Sequence, residues 1–148
     1  MKKSLPLFFC LILLYSTAKA QDNRVNIDYQ YSRIENEYHA YTMFAKVDEK
    51  KSVVDIELVT TLSFNKLKNI SIKKGDRPIQ LSFNKIDTVI KTDDENLKSL
   101  VITVDLKSIL NSTIDCETIL FFLFEDGNKI ALPFRFCLAK EKLKTLNL

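Results

Sequence analysis

The segment that most constrains this chain runs from Cys116 to Cys137, C-E-T-I-L-F-F-L-F-E-D-G-N-K-I-A-L-P-F-R-F-C. Two apolar runs flank Asp126-Gly127, a dipeptide favoured in two-residue hairpin loops because glycine accepts positive φ without steric cost. The segment therefore reads as one β-hairpin. With a two-residue loop, paired positions add to 253, and 116 and 137 do so. Counted outward from the turn they form a non-hydrogen-bonded pair, with Cα atoms about 4.5 Å apart, inside the span a disulfide accepts. A Cys116–Cys137 bond is expected, worth roughly 3 kcal/mol by the loop it closes.

In that register one hairpin face carries Ile119, Phe121, Leu123, Ile130, Leu132, Phe134 and Phe136, the expected core face. The other carries, besides the cysteines, Leu120, Phe122, Phe124, Ala131 and Pro133. A sheet in a two-layer fold has one dry side, so a second apolar face needs a cover. The C-terminal leucines folding back, a partner protein or second copy, and a ligand held inside a barrel are the three covers available. Leu120, Phe122, Phe124, Ala131 and Pro133 are accordingly the candidate interface.

Residues 1–20 combine Lys2 and Lys3, an apolar run from Leu5 to Tyr15 and the small-residue end Ala18-Lys19-Ala20, the pattern of a cleaved signal peptide of bacterial type. The apolar run is about half of what a membrane span needs. Phe8 and Phe9 precede Cys10 where a lipoprotein signal needs small residues. The mature chain, from Gln21, is expected in the periplasm or outside the cell, where disulfides persist. Three of the 22 basic residues leave with the leader, so 19 remain against 19 acidic ones. A neutral mature chain gives no support to nucleic-acid or acidic-membrane binding, and with the leader removed no stable membrane anchor is expected.

The rest alternates with period two. Val25, Ile27, Tyr29 and Tyr31 share one strand face, as do Tyr41, Met43, Ala45 and Val47 on the next strand. The run from Val54 to Phe64 exceeds a usual strand, so a bulge or a crossing between sheets is expected near Thr60-Thr61. Gly75-Asp76 suits a second two-residue hairpin, pairing Ile72 with Ile79 and Ile70 with Leu81. Pro78 and Pro133 each lack a ladder donor, which suggests edge strands. Short strands follow over 86–91 and 98–106, and residues 138–148 form a cap or a tail. About eight strands, no long helix and frequent turns indicate an all-β, antiparallel β-sandwich of immunoglobulin-like type, with a small β-barrel as the alternative. The domain spans 21–137.

Chemistry is sparse. His39 is the only histidine, and Gly75 and Gly127, the only glycines, are both used in turns, so neither a His-rich metal site nor a phosphate-cradling loop can be assembled. Asp55 and Glu57 share a strand face and read as a solvated pair. The acidic turn around Asp94 lacks the ligand spacing of a calcium loop. Tyr29, Tyr31, Tyr38 and Tyr41 cluster within thirteen residues, suited to a sheet edge or an interface. The expectation is an exported, non-enzymatic protein without cofactor. It would bind another exported or envelope protein, or self-associate, through the hairpin's second apolar face or an edge strand. The alternative is a barrel that carries an apolar ligand.

Overall fold

The computed structural model describes residues 23–46, 52–86, 94 and 96–146. The leader with Cys10, the charged turn at 48–51, most of the acidic turn at 92–96 and the strand expected over 86–91 beyond Ile86 lie outside them. The elements are β1 (Arg24–Ile34), β2 (Glu37–Lys46), β3 (Val53–Thr60), β4 (Leu67–Lys74), β5 (Arg77–Gln80), β6 (Ser82–Ile86), β7 (Lys98–Asp105), α1 (Lys107–Leu110), β8 (Glu117–Phe124), β9 (Lys129–Arg135) and α2 (Phe136–Thr145). A five-stranded sheet ordered β1-β2-β3-β7-β6 faces a four-stranded sheet ordered β5-β4-β8-β9. The fold is an all-β sandwich. In immunoglobulin domains the third strand lies in the sheet opposite the first two. Here β1, β2 and β3 form a meander in one sheet, so that likeness is one of architecture, with a different strand order.

Alternation explains most of the core. Tyr41, Met43 and Ala45 on β2, Val54, Ile56 and Leu58 on β3, and Leu100, Ile102 and Val104 on β7 point inward as their period requires, each at most 5 % exposed. Phe122, Phe124 and Phe134 fill the space from the other sheet, each at most 1 % exposed. The interior is therefore solid with side chains, as a sandwich core is. Each such Val, Leu, Ile, Met or Phe stabilises the fold by about 1.5–3 kcal/mol relative to an exposed one.

The chain changes sheet at each flank. Strand β3 ends at Thr60, where the long apolar run was expected to bend, and residues 61–66 carry the chain to β4 in the second sheet. The Gly75-Asp76 hairpin has the expected register, with Lys74 opposite Arg77 and Ile72 opposite Ile79. Leu81 donates its N–H to Ile70 O at 2.9 Å, is buried, and turns the same chain into β6 of the first sheet. That second crossing left no mark in the alternation. Pro78 and Pro133 sit on β5 and β9, the two edges of the four-stranded sheet.

The C-terminal hairpin departs from the two-residue turn. Phe124 N–H donates to Asn128 O at 2.9 Å and Gly127 N–H to Phe124 O at 3.0 Å, so the loop is Glu125-Asp126-Gly127. Gly127 has φ +87, and among the described non-glycine residues only Glu35 is positive. A two-residue loop of the expected type would need positive φ at Asp126 as well. The three-residue loop, a turn followed by one left-handed glycine, needs it at Gly127 alone. Pairs now run Leu120 with Leu132 and Phe122 with Ile130, one residue out of the expected register. A one-residue slip exchanges faces. Here it turns β8 over relative to β9.

The disulfide survives this shift. Cys116 and Cys137 are bonded, with Cα atoms 4.6 Å apart, and Cys137 N–H donates to Cys116 O at 3.3 Å. They are not a ladder pair, since the ladder ends at Glu117 and Arg135 and Cys137 is the second residue of α2. Residues 138–145 continue that helix, with Ala139 and Leu143 buried against the end of the sandwich.

Candidate interaction surfaces

The slip divides the residues expected to form the interface. Leu120, Phe122 and Phe124 are buried at 0, 0 and 1 % exposure and belong to the core, with Phe124 stacked on Phe64 at 4.6 Å between ring centres. Ala131 and Pro133 point outward and are exposed. The outer face of the four-stranded sheet carries instead Ile119, Phe121 and Leu123, half-buried, opposite Pro133, Ala131 and Lys129 respectively. These three were expected in the core. A second apolar face therefore exists, made from the other alternation of β8. Lys129 places its ammonium 4.1 Å from the centre of the Phe121 ring, and Phe121, Leu123, Asn69, Lys73, Arg77 and Pro78 line much of a trough of about 380 Å³.

The second surface is β1, an edge of the five-stranded sheet. Asn26 pairs with Phe44 and Asp28 with Met43, which leaves Ile27 as a bulge residue. The bulge lets consecutive residues turn inward, so Ile27 and Asp28 are both buried. It also reverses the face of everything after it. Tyr29 and Tyr31, expected on the inward face with Ile27, point outward at 45 and 61 % exposure.

Up to Asp28 this edge is closed. Asp28 is 1 % exposed and accepts hydrogen bonds from Arg135 Nε at 2.8 Å, the Arg135 backbone N–H at 3.2 Å and Tyr29 N–H at 3.0 Å. Arg135 Nη2 lies 2.7 Å from the same carboxylate, making a two-pronged ion pair between β1 and β9. The Tyr41 hydroxyl lies 2.8 Å from Asp28 Oδ2 and 2.9 Å from Pro133 O. Burial first, then the Asp28 charge, pushes its pKa far above the usual phenol value. From α2, Lys142 Nζ donates to Ile27 O at 3.0 Å.

Beyond Asp28 the edge is open among the described residues, none of which, β2 apart, pairs with it. Ile34 and Glu37 flank the two-residue loop Glu35-Asn36 and so form a hydrogen-bonded pair, and alternation places Ser32 and Gln30 in the same class. The backbone N–H and C=O groups of Tyr31 and Arg33 then face away from β2. Among the described residues the exposed large apolar side chains are Tyr29, Tyr31 and Ile34, at 45, 61 and 69 %. All three lie on this half-strand. Tyr29 and Tyr31 lie 6.1 Å apart between ring centres, and Tyr38 joins them, its pKa raised by burial and by the hydrogen bond that its hydroxyl makes with Tyr29. Tyr41, the fourth tyrosine of the cluster, is a core residue.

Several other polar groups pair with one another. Asp55 is 6 % exposed, accepts from Thr103 Oγ1 at 2.9 Å and pairs with Lys46 at 3.2 Å, while Glu57 pairs with Arg24, whose guanidinium lies over the Phe44 ring. The Asp55–Glu57 pair is thus a charge network on the outer face, drier than alternation suggested. His39 Nδ1 lies 2.7 Å from Thr60 Oγ1. A polar hollow of about 710 Å³ beside the β1–β2 turn is lined by groups that include the exposed Arg33, Glu35 and Lys98. Among the described residues no three His, Cys, Asp or Glu side chains gather, and no helix is long and apolar enough to cross a membrane. Comparison with protein-family models, curated proteins and solved structures finds no match.

Proposed function

We propose that this chain is exported by its leader-like first 20 residues and works, without catalysis or cofactor, by associating with protein through strand addition at the open half of β1. The observation that carries the reading is the coincidence of exposed Tyr29, Tyr31 and Ile34 with outward-facing backbone on one edge strand. Such an edge pairs with a further strand: main-chain hydrogen bonds supply affinity and alternate side chains supply selectivity. The other edges carry the devices that discourage pairing. Strand β5 has four residues including Arg77 and Pro78, β6 has five with Lys85, and β9 has Pro133. The Cys116–Cys137 bond fits the oxidising space beyond the inner membrane.

The trough around Phe121 and Leu123 supports a second reading, in which the partner docks on the outer face of the four-stranded sheet. Affinity capture from the native envelope with wild type, Tyr31→Lys and Phe121→Ser separates the two. Loss of captured protein with Tyr31→Lys and its retention with Phe121→Ser is the expected pattern. The reverse pattern would move the site to the trough.

A further inference from the structure

Resting on strand addition at β1 as the mode of association, we infer that its occupant is β1 of a second copy of this chain, antiparallel, with the two-fold axis at Tyr31. The backbone limits the choice of register. Tyr29, Tyr31 and Arg33 direct their main-chain groups outward, so a hydrogen-bonded pairing between two copies must match members of this set with one another. Placing Tyr31 opposite Tyr31 also sets Tyr29 opposite Arg33 on both sides, and uses all three residues. Tyr29 N–H already donates to Asp28, so about four backbone hydrogen bonds result, two at the axis and one from each Arg33 N–H to the opposing Tyr29 O.

The side chains favour the same register. Arg33 is the one charged residue from Tyr29 to Ile34. A two-fold centred on residue 33 would oppose two guanidinium groups, which destabilises a strand pair. Centring on 31 separates them by four residues, about 13 Å along the strand and beyond the screening length at physiological salt. Each guanidinium then lies beside a tyrosine ring, a favourable contact of cation with aromatic face. On the other side Gln30 meets Ser32, polar against polar, and Ile34 falls opposite Asp28, against the half-exposed Arg135 side chain that caps it. The contact is self-complementary, as a two-fold dimer requires, and joins the two five-stranded sheets into one of ten strands.

The test uses the mature disulfide-bonded chain and sedimentation velocity over a micromolar concentration series. Wild type is expected to be dimeric. Tyr31→Lys and Tyr31→Glu each oppose like charges at the axis and should weaken association at least tenfold while keeping the wild-type circular dichroism spectrum. Mixed in equal amounts, these two chains should pair again. A fold-damaging substitution would not be rescued by mixing. A monomeric wild type throughout the series, or a mixture no more dimeric than its components, would overturn the second copy as occupant. If capture from the envelope still depended on Tyr31 in that case, strand addition would stand with a different partner; if capture did not, both would fall.

Discussion

The two halves of β1 share a strand, a sheet and a neighbour, yet they are built for opposite ends. From Arg24 to Asp28 the edge is sealed by a bulge, a buried carboxylate held by Arg135 and Tyr41, and a lysine from α2 on its carbonyls. From Tyr29 to Ile34 it carries exposed tyrosines and an exposed isoleucine, with none of these devices. The bulge at Ile27 produces both. It turns Asp28 into the core and, by the same reversal, turns Tyr29 and Tyr31 out. An edge closed at one end by a fixed corner and open at the other is a short template of defined length.

That contrast is open to direct challenge. The largest effect is expected from Asp28→Ala, which leaves the Arg135 guanidinium and the Tyr41 hydroxyl without their shared acceptor. Breaking one side of such a pair should cost about 3 kcal/mol, read as a lowered urea midpoint at unchanged slope. Next comes removal of the disulfide by Cys116→Ser with Cys137→Ser. It frees the start of the helix that brings Lys142 to β1, and a loss of about 2–3 kcal/mol is expected.

A smaller effect concerns pH. The Tyr41 phenol has a higher pKa folded than unfolded, so its contribution is fully present below the unfolded value of about 10 and is lost as pH rises toward the folded value. Above pH 10 stability should fall by up to about 1.4 kcal/mol per pH unit on this group's account, and Tyr41→Phe should remove that part of the slope. Smallest is the effect of Tyr31→Lys on the folded monomer, within about 0.5 kcal/mol, because the side chain is exposed and its backbone groups face away from β2. A loss comparable to that of Asp28→Ala would mean that the open half also holds the fold together.

The two tight hairpins show what the sequence could and could not convey. At Gly75-Asp76, Ile72 lies between Ser71 and Lys73 and Ile79 between Pro78 and Gln80, so turn and alternation agree and the register is legible. In the Cys116–Cys137 hairpin, β9 alternates cleanly, whereas β8 is apolar at every position from Ile119 to Phe124. Either face of β8 could go inward by composition, and Gly127 serves a two- or a three-residue loop equally well. Loop length alone decided the register, and with it which of Phe121 and Phe122 would be buried. The disulfide was legible because the span between its Cα atoms tolerates the one-residue offset that β9 absorbs in passing into α2. The open half of β1 was not, since an edge is a property of sheet order, and no residue between Tyr29 and Ile34 declares that its strand is outermost.

Amide hydrogen exchange along β1 tests the association at the open edge most directly. In the dimeric wild type at high concentration, the Tyr31 and Arg33 amides should be protected as strongly as those of Gln30 and Ser32, which bond to β2, and should lose that protection in Tyr31→Lys. Tyr31 and Arg33 exchanging freely at every concentration while Gln30 and Ser32 stay protected would contradict it.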